Sequence, residues 1–123
     1  MKATKKWAYS LNNEYYNSPF YDSFDKALVD GIKDGKEDGY NYVYVGRVME
    51  FVPSIDPDSV IEELQQKAYD EAGEVSLDYL EDIPLKDRLK LGEMLTETFK
   101  QWAKDTNNEP TFYTVEEVSE HEV

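Results

Sequence analysis

Glu71 and Glu74 stand three residues apart, a spacing that puts two carboxylates on one helical turn and lets them share a hard divalent cation. The downstream helix offers Glu93 and Glu97, which are four apart and bring no aspartate, so a four-carboxylate cage is only half present. The single histidine, His121, lies close to the chain end and is expected on the surface, where a general base is rarely held in place. Cysteine is absent, which removes disulfides, thiolate nucleophiles and cysteine-bound zinc together. DGKEDG lacks the spacing of a phosphate-binding loop and reads as a turn. These residue types assign no catalytic residue, no metal ligand set and no cofactor.

What the chain does concentrate is negative charge. Residues 68 to 83, AYDEAGEVSLDYLEDI, hold six carboxylates and no basic side chain. Of the net charge of -14, residues 1 to 47 contribute nothing, residues 48 to 83 contribute -10, residues 84 to 106 contribute +1 and residues 107 to 123 contribute -5. Such a surface repels nucleic acid and anionic membranes and attracts a cationic partner. On a helix, positions 62, 66, 70, 74 and 78 form a row of Glu, Gln, Asp, Glu and Asp. Each like-charged pair at that spacing costs an isolated helix about 0.2 to 0.5 kcal/mol. The expected partner-binding set is therefore Asp70, Glu71, Glu74 and Asp78, supported by Glu62, Glu63 and the acidic chain end, with Tyr69 at the rim. The competing expectation is a solvated face that only keeps the chain soluble. Imitation of duplex DNA needs more than one helix, because a helical row offers a charge every ~6 Å against one every ~1.7 Å of duplex.

Tyrosines form the other candidate group. Tyr9, Tyr15, Tyr16, Tyr21, Tyr40, Tyr42 and Tyr44 lie in or beside expected strands, and alternation puts Tyr40, Tyr42 and Tyr44 on the face opposite Val43 and Val45. A tyrosine face of this kind stacks a small ligand such as a nucleotide, or packs against a helix.

The elements that must position these groups follow from periodicity. WAYSL, NN and EYY predict a hairpin about an Asn-Asn turn. Ser23 caps a helix in which Phe24, Ala27, Leu28 and Ile32 share a face. Residues 40 to 52 make the strongest strand, with Gly46 marking a bulge. Asp56 and Pro57 start a helix that runs to about Leu80, its buried stripe made by Ile61, Leu64, Ala68, Ala72, Val75 and Tyr79. Gly73 within it marks a kink, a break or a close contact. A last helix runs from Pro84 to about Thr106 and buries Leu85, Leu89, Leu95, Phe99, Trp102 and Ala103, and TFYTVEEV follows as an edge strand.

YNSPFYDSFDKALVDG, YVG, AYDEAGEV and PTFYTVEEV, taken in that order, resemble a family of small acidic proteins encoded by bacteriophages and prophages. The resemblance spans most of the chain. It implies a phage setting and brings no activity and no catalytic residue with it.

The expectation is thus one α+β domain over residues 1 to 123: a small antiparallel sheet of three to four strands with one packed helix, plus a layer of two longer helices. Residues 1 to 52 are mainly strand with one short helix, 57 to 106 helical, 107 to 118 the final strand and 119 to 123 an acidic tail. With no apolar run for a signal peptide or membrane span, a cytoplasmic location is expected. The expected function is that of a phage accessory protein that binds a basic, nucleic-acid-handling protein of a host or defence system and blocks it. The alternatives are a magnesium-dependent nucleotide pyrophosphohydrolase and a small-ligand module.

Overall fold

A computed structural model describes residues 1 to 123. The order of elements is β1 (Lys2–Ser10), α1 (Phe24–Asp38), β2 (Tyr42–Glu50), α2 (Pro57–Ala72), α3 (Leu85–Asp105) and β3 (Tyr113–Glu122). The fold is α+β, with one three-stranded antiparallel sheet in the order β1-β2-β3 and three helices. The chain divides into two compact units, Met1–Val52 with Pro110–Val123, and Pro53–Glu109. No helix is long and apolar enough to cross a membrane.

In the first unit β2 is the central strand, and its alternation sets the interior. Val43 and Val45 are fully buried beneath α1, while Tyr42 and Tyr44 lie on the opposite side of the pleat. The N-terminus of α1 is closed by Ser23, whose hydroxyl oxygen accepts from the Lys26 amide at 3.2 Å, and its C-terminus by Gly39. Ala27, Gly31 and Gly35 recur every four residues on the buried face of α1, so the helix backbone comes close to the sheet. Trp7 meets Phe24 edge to face at 5.4 Å, and the Arg47 guanidinium lies 4.4 Å from the Trp7 ring centre.

Two expectations change here and a third holds. The Asn-Asn hairpin has no returning strand at Glu14–Tyr16. Asn12 Oδ1 instead accepts from the amides of Glu14 and Tyr15, and Ser10 Oγ accepts from those of Asn12 and Asn13, so side chains satisfy the backbone where a ladder would have. The chain then runs back along the β1 edge, with Trp7 and Tyr21 exchanging backbone hydrogen bonds at 2.9 and 2.8 Å. The residues expected to form an acidic tail continue β3 as far as Glu122, and the Val123 amide donates to the Asn41 carbonyl at 3.0 Å. The register shift expected at Gly46 falls between Val45 and Arg47, opposite the positive φ of Glu117.

In the second unit, Asp56 caps α2 and Pro57 stands in its first turn. The helix stops at Ala72, not near Leu80. Gly73 takes φ 70 and ψ -145, a conformation open essentially to glycine alone, and a single 3-10 turn over Gly73–Ser76 follows. The chain then doubles back beside α2, held by the Gln65 side-chain amide donating to the Tyr79 carbonyl at 2.9 Å. Pro57 packs over Gly92 of α3, and the Ile55 amide donates to Thr96 Oγ1 at 3.0 Å. The expected buried stripes are largely open. Only Ile61, Gly92 and Ala103 are buried in this unit, whereas Leu64, Val75, Tyr79, Leu85, Leu89, Phe99 and Trp102 are exposed.

Two outcomes follow from these contacts. A Cβ at Gly31 would meet Val43 Cγ2 at 2.6 Å and Tyr9 Cγ at 3.0 Å, so Gly31→Ala is expected to cost about 1–3 kcal/mol in urea unfolding through overpacking. Gln65→Glu turns a donor into an acceptor facing the Tyr79 carbonyl, so hydrogen exchange should quicken at Leu77 and Tyr79 and stay unchanged in the middle of α2.

Candidate functional site

The acidic site is built on α2 and the segment that returns beside it. Four-residue spacing aligns Glu62, Gln66 and Asp70 on an exposed row, and the Gln66 side-chain amide donates to Asp70 Oδ1 at 2.9 Å. A parallel row holds Glu63, Lys67 and Glu71, with Lys67 Nζ 3.2 Å from Glu63 Oε1. Because α2 ends at Ala72, Glu74 and Asp78 do not continue the first row. Glu74 lies in the 3-10 turn and Asp78 in the turn after it, where their directions follow the loop and not the helix. Glu71 and Glu74 fall on either side of the helix end, and no group of three His, Asp or Glu side chains is placed to hold a metal ion.

The return of the chain creates a feature that helical spacing did not contain. Residues 76 to 81 fold against α2 and enclose an open cleft of about 420 Å³ walled by Glu62, Gln65, Gln66, Tyr69, Leu77, Tyr79 and Glu81. A second cleft, of about 390 Å³, shares Glu62, Gln65 and Glu81 and adds Asp58, Ile61 and Arg88. Of the expected partner-binding residues, Glu62 and Tyr69 line the first cleft; Glu63, Asp70, Glu71, Glu74 and Asp78 are exposed and line neither. Glu81, Gln65 and Tyr79 were missed as site residues. The signal for them was Gly73: read as a helix end, it brings the following residues back onto α2.

The electrostatics of this unit are set by lack of compensation. Its ion pairs are Lys67 with Glu63 and Arg88 with Asp58 at 3.3 Å. Glu62, Asp70, Glu71, Glu74, Asp78 and Glu81 have no cation within 4.0 Å. Arg88 is the only basic side chain in the wall of either cleft, and Asp58 already holds it. An arginine or lysine from outside would find uncompensated carboxylates and two phenol rings in one place.

The tyrosines of the first unit divide by role. The Tyr9 hydroxyl donates to Asp34, and burial, followed by that carboxylate, pushes its pKa well above the ordinary phenol value. Burial and Asp30 move Tyr21 in the same direction. Both are thus tied to the interior and to α1. Tyr15 and Tyr16 instead line a cleft of about 420 Å³ with Asn13, Asn17 and Tyr113, and the Tyr113 hydroxyl donates to the Tyr16 carbonyl at 2.7 Å. His121 is not a loose surface residue: it belongs to β3, shares a 2.7 Å hydrogen bond with Ser119 Oγ and packs against Phe24 at 5.4 Å.

No family model matches the chain, and neither a curated protein nor a solved structure matches it, so its functional reading rests on its own residues.

Proposed function

We propose that the chain is a protein-binding module whose acidic helical unit docks on a basic protein surface and occludes it. The observation that carries this reading is the cleft that sets Tyr69 and Tyr79 beside Glu62 and Glu81 with no internal cation free to answer them. A partner's arginine enters there as an anchor, its guanidinium plane against a phenol ring and its N–H groups on the carboxylates. Asp70, Glu71, Glu74 and Asp78, exposed around that anchor, raise the encounter rate by long-range attraction. The uncompensated negative charge makes a basic, nucleic-acid-handling protein of a host or defence system the proposed target, blocked because its phosphate-binding surface is occupied.

The tyrosine-lined cleft of the first unit favours a second reading, a small-ligand site in which an aromatic ring stacks on Tyr15 or Tyr16 beside the amides of Asn13 and Asn17. A thermal-shift screen against nucleotides, run with and without magnesium and followed for turnover, separates that reading and a hydrolase from the protein-binding one.

For the main proposal, the immobilised chain should retain basic proteins from a bacterial extract and release them progressively as salt is raised, since contacts between exposed charges are screened. Replacing Glu62 and Glu81 by lysine should reduce retention at least tenfold with the helical circular dichroism unchanged. Replacing Asp70, Glu74 and Asp78 by lysine should mainly slow association. Undiminished retention by both variants would reject the proposal.

A further inference from the structure

We infer that the free edge of β3 receives an extended basic segment of another protein as a fourth strand, with lysine or arginine at alternate positions set against Glu120 and Glu122. The two edges of the sheet differ. Along β1 the chain closes its own edge: Trp7 and Tyr21 exchange backbone hydrogen bonds at 2.9 and 2.8 Å, and the Tyr9 amide donates to Ser18 Oγ at 3.0 Å. Nothing equivalent is bonded along β3, whose ladder partner is β2 alone.

Register decides which groups are free. The Val123 amide donates to the Asn41 carbonyl at 3.0 Å, and Val43 and Val45 stand opposite His121 and Ser119, so the bonds to β2 fall on residues 119, 121 and 123. The amides and carbonyls of Glu120 and Glu122 therefore point away from β2, and no other backbone group of the chain takes them up. On the N-terminal side, the register shift and the positive φ of Glu117 interrupt the edge, so the open ladder runs over residues 118 to 122. An extended segment laid there finds main-chain donors and acceptors already set out.

Side chains select the occupant. Tyr42 pairs with Glu122 and Tyr44 with Glu120, so two phenols and two carboxylates share the sheet face turned away from α1, and the Tyr44 hydroxyl donates to Glu120 Oε1 at 3.2 Å. Neither carboxylate has a cation within 4.0 Å, and Lys104 is the last lysine or arginine of the chain. A residue paired with Glu120 or Glu122 in an added strand projects onto this face, so a lysine or arginine there meets a carboxylate directly across and a phenol one strand further. The residue between them projects to the other face, on the side of His121 and Phe24, and carries no charge. A second copy is a poor occupant, because β3 brings four glutamates and no lysine or arginine to any such pairing. The site lies in the sheet unit and shares no residue with the acidic cleft beside α2.

Titration calorimetry and amide hydrogen exchange test this, using the full chain and a short capped peptide that alternates arginine with threonine. The expected result is a dissociation constant of about 100 µM or tighter in physiological salt. Exchange should slow at the amides of Glu120 and Glu122 and stay unchanged along α2. The same peptide N-methylated at its arginine amides, the groups that face β3, keeps its charge and should bind at least tenfold more weakly. Glu120→Lys with Glu122→Lys should weaken binding by a similar factor. Glu62→Lys with Glu81→Lys, an equal change in net charge, should leave it within about twofold, which separates this site from the one proposed for the helical unit. If the β3 variant fails to fold, the exchange pattern of the wild type decides. No binding at about 1 mM peptide overturns the inference. Equal binding of the N-methylated peptide, or exchange slowed on α2 and not on β3, overturns it as well.

Discussion

The burial of Val43 and Val45 is the interaction on which the first unit depends. They are the largest side chains in the chain with no exposed surface, and each contributes about 1.5–3 kcal/mol by leaving water. Their position on a central strand fixes the rest. Alternation sends Tyr42 and Tyr44 to the other side of the pleat, and α1 can lie low over the valines because it presents Ala27, Gly31 and Gly35. Hydrogen bonding on both edges of β2 then pins β1 and the chain end, so even His121 is seated against Phe24.

The second unit has no equivalent. Ile61 is its only large buried apolar side chain, and α3 meets α2 and the residues before it through Pro57 on Gly92, the Ile55 amide on the Thr96 hydroxyl and Arg88 with Asp58. Two helices with so little interior between them gain little by folding alone, because ordering each residue costs ~1–2 kcal/mol of backbone entropy. The residues that would make up the difference are present. Leu85, Leu89, Phe99 and Trp102 carry ample apolar surface, and it faces outward. That imbalance sets a well-filled sheet unit against a helical one whose apolar side chains stand largely in water.

The elements most legible in the sequence were those with strong local determinants. Ser23, Asp56 with Pro57, and the β-branched and aromatic run at Tyr42–Glu50 each act within a few residues, and the helix starts and the strand fall where they indicate. The end of α2 was harder. The apolar period of Ile61, Leu64, Ala68 and Ala72 continues through Val75 and Tyr79, but a glycine at positive φ outweighs periodicity that no burial reinforces. The Asn12 turn was misread for a related reason: its side chain competes for the same backbone amides that a hairpin ladder uses. For the acidic site, the exposure of the carboxylates followed from the pattern, whereas the cleft did not, since it exists only because residues 76 to 81 return to α2.

Charge and apolar surface in the helical unit constrain each other. A chain with net charge -14 resists self-association, so an apolar contact between copies is tenable only if the carboxylate rows stay out of it. On α2 they do so only in part. Measured from the buried Ile61, Glu62, Gln66 and Asp70 lie at about 100°, 140° and 180°, while Leu64 lies near 300°, beside Glu71 near 280° and Lys67 near 240°. Leu64 thus shares its flank with an exposed charged row, and Glu62 and Asp70 stand in water on the other.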